Sequence, residues 1–126
     1  MAKKILLTDC DCNFVKPTVA ALTAEGYNVV IADSAKAADK LIAENDFDMA
    51  IVCLELEYAD SGFTLAYHIK KKNAKTPVIM VSGVEFDSMT DEEQNWTKAD
   101  TILVKPVRYE QIKAEMLKLG IATIKH

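Results

Sequence analysis

The chain has 126 residues, half of them apolar and 27% charged, enough to bury a hydrophobic core and too apolar for a disordered segment. Its formal net charge of −4 gives no general attraction to nucleic acid or to an anionic membrane surface. No stretch reaches the apolar length a bilayer requires, and Met1-Ala2-Lys3-Lys4 leads straight into an apolar run without a signal-peptide pattern, so one cytoplasmic domain, residues 1–126, is expected.

Ile5-Leu6-Leu7-Thr8 is a short apolar run cut off by Asp9-Cys10-Asp11, which reads as a buried strand. From Asn13, Phe14, Thr18, Val19 and Leu22 recur at helical spacing. Pro17 is read as lying within the first turn, where proline is tolerated, and Gly26 as the stop. Val29-Val30-Ile31-Ala32 forms a second strand. Ser34 caps a second helix with Ala37, Ala38, Leu41 and Ile42 on one face. The stretch Met49-Ala50-Ile51-Val52-Cys53-Leu54-Glu55-Leu56 is the third strand, delivering Cys53 where the chain turns back to the surface, and Leu65, Ala66 and Ile69 form the inner side of a third helix after Gly62.

Pro77-Val78-Ile79-Met80-Val81 is the fourth strand, ending at Ser82-Gly83. Residues 87–96 are acidic with little apolar periodicity, and the expectation there is a fourth helix. Thr101-Ile102-Leu103-Val104 is the fifth strand, and Ile112, Met116 and Leu119 mark a fifth helix closed by Gly120. Five strands alternating with five helices make an α/β fold, a doubly wound parallel sheet with helices on both faces. In such a sheet functional groups gather at the carboxyl ends of the strands. Those ends carry Asp9, Cys10, Asp11, Cys12, Cys53, Ser82 and Lys105.

Several chemistries lack their parts: there is no GxGxxG, P-loop, HExxH or GxSxG. His68 and His126 are read as surface or structural residues, and Lys70-Lys71-Lys72 as a solvated helix end. A lysine and a hydroxyl beside carboxylates suit a phosphoryl group, neutralised by the ammonium and hydrogen-bonded by the serine. Phosphoryl transfer also calls for a hard divalent cation on several carboxylate oxygens. Two positions in the cluster are sulfur instead.

The chain resembles the receiver domains of bacterial two-component response regulators from Lys4 to about Leu119. The resemblance rests on separated motifs taken in order: Lys4-Ile5-Leu6-Leu7-Thr8-Asp9, Phe47-Asp48-Met49-Ala50-Ile51-Val52, and Asp60-Ser61-Gly62-Phe63. It continues in Pro77-Val78-Ile79-Met80-Val81-Ser82-Gly83 and in Ala99-Asp100 through Leu103-Val104-Lys105-Pro106. It implies a flavodoxin-like sheet of order 2-1-3-4-5. It also implies that Asp9 is the first acid of the acidic pocket, that Ser82 and Lys105 contact the phosphoryl group, and that the peptide before Pro106 is cis.

The same resemblance exposes the departures. Cys10 stands at the second acid, a direct magnesium ligand; Cys53 stands at the phosphoacceptor aspartate; Ile102 stands at the aromatic switch position. The expectation is a degenerate receiver that binds no cofactor, its Mg2+ site degraded because thiols are soft and magnesium takes oxygen. No enzymatic activity is expected.

Three readings of the thiols stay open: small buried residues filling the space of lost carboxylates, a redox pair, or a soft-metal site. A Cys10–Cys53 disulfide requires Cα atoms within about 7 Å; Lys105 favours a thiolate there, while Asp9 and Asp11 oppose it. The metal site would use Asp9, Cys10 and Cys53, with Cys12, but lacks the usual zinc spacing. The family's partner face, formed by the fourth helix, fifth strand and fifth helix, would carry Asp87, Asp91, Glu92, Glu93, Trp96, Ile102 and Tyr109. Its expected partners are proteins, a histidine kinase or a downstream regulator.

Overall fold

The computed structural model describes residues 3–8, 12–53, 61–83 and 99–120. Within them lie five strands, β1 (Lys4–Thr8), β2 (Asn28–Ala32), β3 (Met49–Cys53), β4 (Val78–Ser82) and β5 (Thr101–Val104). Four helices join them: α1 (Cys12–Ala24), α2 (Ala35–Glu44), α3 (Ser61–Lys72) and α4 (Tyr109–Lys118). The helix expected over residues 87–96 falls outside the described residues, so α4 is the last helix of the sequence reading.

The strands are all parallel, in the order β2-β1-β3-β4-β5, which is the flavodoxin-like, doubly wound sheet expected. Side chains alternate across a strand, and the alternation sorts the core into two layers. Ile5, Leu7, Met49, Ile51, Cys53, Ile79 and Val81 join Phe14, Leu22, Ile112 and Met116 on the α1 and α4 side. Leu6, Ala50, Val52, Val78 and Met80 join Ala38, Ile42, Leu65, Ala66 and Ile69 on the α2 and α3 side. Every residue of β3 and β4 is buried, because both faces of these central strands carry helices. Of the edge strands, β5 is half-buried throughout and β2 exposes Asn28 and Ile31. Each large aliphatic side chain fully withdrawn from water contributes about 1.5–3 kcal/mol, so the continuous apolar runs are the principal drivers of this architecture.

Helix ends follow from single residues. After α1, Gly26 adopts φ +93°, its N–H donates to the Thr23 carbonyl at 3.0 Å, and Tyr27 N–H donates to Leu22 at 3.1 Å. That pair of bonds is a Schellman closure, which needs the left-handed residue glycine supplies. Ser34 caps α2 as expected, its Oγ accepting from Ala37 N–H at 3.1 Å. At the other end of α2, Lys72 Nζ donates to the carbonyls of Ile42 at 2.6 Å and Asn45 at 2.5 Å. A cation from α3 thus satisfies carbonyls that a helix C-terminus leaves without partners.

One expectation is corrected. Because α1 already begins at Cys12, Pro17 lies inside the helix and not in its first turn. Proline there removes the bond to the carbonyl four residues earlier; Pro17 is exposed, so water on the outer face can satisfy that carbonyl.

Two aspartates tie strand beginnings together. Asp48 Oδ2 accepts from Lys4 N–H at 2.7 Å, and Asp48 N–H donates to the Lys4 carbonyl at 2.8 Å. Asp100 Oδ2 accepts from Val78 N–H at 2.8 Å and from Lys70 Nζ at 2.7 Å.

Candidate functional site

The site is built by strand register. Thr8 lies opposite Val52, Cys53 opposite Val81, and Ser82 opposite Val104, so β1, β3, β4 and β5 end at one edge of the sheet. Lys105 follows β5 directly, and its N–H donates to the Ser82 carbonyl at 2.7 Å. The Lys105–Pro106 peptide is cis, as the resemblance implies.

Cys53 occupies the centre of this edge. The alternation that sends Met49 and Ile51 toward α1 sends Cys53 the same way, where it is 3% exposed. Its N–H donates to Thr8 Oγ1 at 3.3 Å, which holds the last residue of β3 against the last residue of β1. Lys105 Nζ lies 3.9 Å from Cys53 Sγ, a long N–H···S contact, and 5.6 Å from the centroid of the Phe14 ring. The ammonium is therefore seated between a thiol and an aromatic face, a placement that cation–π attraction favours. Ser82, at the end of β4, is buried.

Sequence reasoning treated Thr8 and Phe14 as strand and helix core alone. Neither the hydroxyl that accepts from Cys53 nor the ring beneath the ammonium carries a sequence signal beyond its hydrophobic spacing. Asp9, Cys10 and Asp11 fall outside the described residues, as do Asp87, Asp91, Glu92, Glu93 and Trp96, and Cys12 opens α1. Ile102 is half-buried and packs in the α2 and α3 layer, the layer opposite Cys53. His68 Nδ1 lies 2.7 Å from Asp39 Oδ1, joining α3 to α2 away from this edge.

Tyr109, at the start of α4, is tied to the end of α1. Its hydroxyl donates to Glu25 Oε2 at 2.5 Å, and Lys113 Nζ pairs with Glu25 Oε1 at 2.5 Å. Burial, then the Glu25 bond and charge, push the Tyr109 phenol well above its ordinary range. Burial and Glu25 also raise Tyr27, against the opposing charge of Lys113.

The described donors at the edge are the Cys53 thiol and the hydroxyls of Thr8 and Ser82, with an ammonium beside them. A hard divalent cation takes six or more oxygens with carboxylates foremost, and the carboxylates of Asp9 and Asp11 lie outside the described residues. Among the described residues no three His, Cys, Asp or Glu side chains come together to hold a metal. Among them, too, no helix is long and apolar enough to cross a membrane.

Comparison with known proteins agrees with this geometry. The family model for the response regulator receiver domain matches residues 5–117. Transcriptional regulatory protein ZraR of Escherichia coli K12 is 31% identical over 117 residues, covering 90% of this chain and 25% of its own length. The chain thus spans about a quarter of that curated relative. A CheY-like receiver domain protein from Methanospirillum hungatei JF-1 superposes with a TM-score of 0.82 at 27% identity, covering 95% of both chains.

TrrA of Thermotoga maritima, solved in complex with Mg2+ and BeF, gives a TM-score of 0.77 at 25% identity over 93% of this chain and 98% of its own. A response regulator from Burkholderia pseudomallei, solved with a phosphorylated aspartic acid, a calcium ion and citrate, gives 0.76 at 26% identity over 89% and 65%. With its sheet order, its lysine followed by a cis proline and its matched span all in agreement, the chain belongs to the response regulator receiver family, the CheY-like modules of two-component signalling.

Proposed function

We propose that this receiver acts as a regulatory protein-interaction module in which the usual aspartyl phosphorylation has been lost. The observation that carries the reading is the Lys105–Cys53 contact at 3.9 Å. The lysine keeps its station at the sheet edge, but the group it faces is a thiol, which does not offer the acyl-phosphate chemistry of a carboxylate. Cys10, in place of a second acid, removes an oxygen ligand that magnesium would need. On this reading the chain binds no Mg2+ of consequence and catalyses no reaction.

On this reading the module works in the cytoplasm and signals by protein contact through the face that includes β5 and α4. A histidine kinase or a downstream regulator would be read there, with Ile102 at the switch position.

Cys53 on this account is a packing residue. A neighbouring ammonium favours the thiolate, yet reactive thiols are partly exposed, and Cys53 at 3% exposure meets oxidants and metals poorly. Pairing with Cys10, or a soft-metal site with Asp9, Cys10 and Cys12, is the competing use of the same sulfur.

The test is intact mass of the chain after incubation with a small acyl phosphate and Mg2+, with and without reductant. An unchanged mass in all arms is expected. A stable phosphoryl adduct would overturn the loss of phosphorylation, and a loss of two hydrogens without reductant would establish the redox pair.

A further inference from the structure

The strongest feature outside the sheet edge is the outer face of α3 and the groove it forms with α2. Residues 61–76 contain four lysines and no acid in a chain of net charge −4, so this helix and its C-terminal turn carry a local excess of positive charge. Among the described residues, Lys70 is paired with Asp100 at 2.7 Å. Lys72 is drawn to the end of α2, where it also lies 3.5 Å from Asp46. Lys71 is exposed and held over the ring of Tyr67 at 5.9 Å from its centroid. Lys75 is exposed one turn further on.

Tyr67 is 49% exposed, the most exposed large apolar side chain among the described residues. The adjoining groove is lined by Asp39, Ile42, Ala43, His68, Lys71 and Lys72. Its one acid, Asp39, is engaged by His68 at 2.7 Å, so the groove presents an apolar floor of Ile42 and Ala43 beneath ammonium groups.

We infer that this face docks an acidic protein segment: carboxylates on Lys71 and Lys75, with apolar side chains set against Tyr67 on one side of Lys71 and in the α2–α3 groove on the other. Charge complementarity selects that occupant. The lysines match carboxylates, while the surrounding chain is acidic and repels the long anionic surface of a nucleic acid or a membrane. A tyrosine already oriented by a cation on its ring is a low-entropy anchor of the kind that dominates interfaces. The face lies apart from Cys53, so the inference goes beyond the proposed function and holds whether or not phosphorylation is lost.

The experiment is an amide-resolved NMR titration of the whole chain with a synthetic peptide of repeated Glu-Glu-Leu, using a Gln-Gln-Leu peptide as control. Expected are saturable shifts centred on residues 64–75 and 39–43 with the acidic peptide alone. Tyr67→Ala and Lys71→Gln should each weaken binding about five- to tenfold, with unchanged thermal melts because both side chains are exposed. Shifts centred elsewhere, equal binding of the glutamine peptide, or wild-type affinity in both variants would overturn the inference. So would no response at millimolar peptide, or tighter binding to phosphatidylserine vesicles or an oligonucleotide.

Discussion

Replacing Cys53 by aspartate puts a carboxylate back where Lys105 can meet it, and the structure sets the energetic scale. With an effective dielectric of about 20, a unit charge 3.9 Å from the ammonium gains about 4 kcal/mol. Lys105 is only half-buried, and screening brings that gain to about 2 kcal/mol. Burying a carboxylate in the nearly closed space of Cys53 costs several kcal/mol.

The net expectation for Cys53→Asp is a folded chain destabilised by about 1–2 kcal/mol. The sharper quantity is the coupling with Lys105→Met. Beside a neutral thiol, that truncation should cost under about 1 kcal/mol; beside the new carboxylate, about 2 kcal/mol more. Urea unfolding at neutral pH, followed by circular dichroism on the four chains of the cycle, measures both. A coupling within about 0.5 kcal/mol of zero would refute the reasoning. If Lys105→Met already costs as much in the parent as in the aspartate chain, Cys53 carries a charge of its own and is a thiolate.

Three further outcomes follow from contacts away from the pocket. Lys72→Met keeps the aliphatic stem but frees the α2 carbonyls, and should lower stability by about 1–2 kcal/mol in urea unfolding. Asp100→Ala removes the acceptor shared by Val78 N–H and Lys70; a loss of about 1–2 kcal/mol is expected, with faster hydrogen exchange at Val78. Tyr109 has a folded-state pKa raised above the ordinary phenol value of about 10, so the neutral form is the one the fold favours. Its contribution is therefore complete below about pH 10 and is lost as pH rises through the folded value. Tyr109→Phe should flatten that alkaline fall and lower the neutral-pH stability by about 1 kcal/mol, as read from melts between pH 7 and 11.

The parts of the fold legible in the sequence are those written in hydrophobic spacing. Met49 through Cys53 is apolar throughout because both its faces are covered, and Gly26 and Ser34 announced their caps because only a few residue types satisfy those geometries. Pro17 misled because α1 already begins at Cys12, which puts the proline past the first turn. At the site, Cys53, Ser82 and Lys105 were readable as strand-end residues following apolar runs. Thr8 and Phe14 were not: the bond from Cys53 N–H and the ring under Lys105 depend on tertiary placement that spacing does not encode. The roles of Asp48 and Asp100 were hidden for the same reason, since each joins strands far apart in sequence.

The central claim is that the pocket keeps its lysine and has lost its phosphoryl chemistry. Beryllofluoride with Mg2+, the combination present in the TrrA complex, is a chemical mimic of a phosphoryl group on a carboxylate. The most direct measurement is its titration into the whole chain, followed by the amide resonances of Cys53, Ser82 and Lys105. The account predicts no saturable shift at these three positions. A saturable shift at all three, dependent on Mg2+, would contradict it.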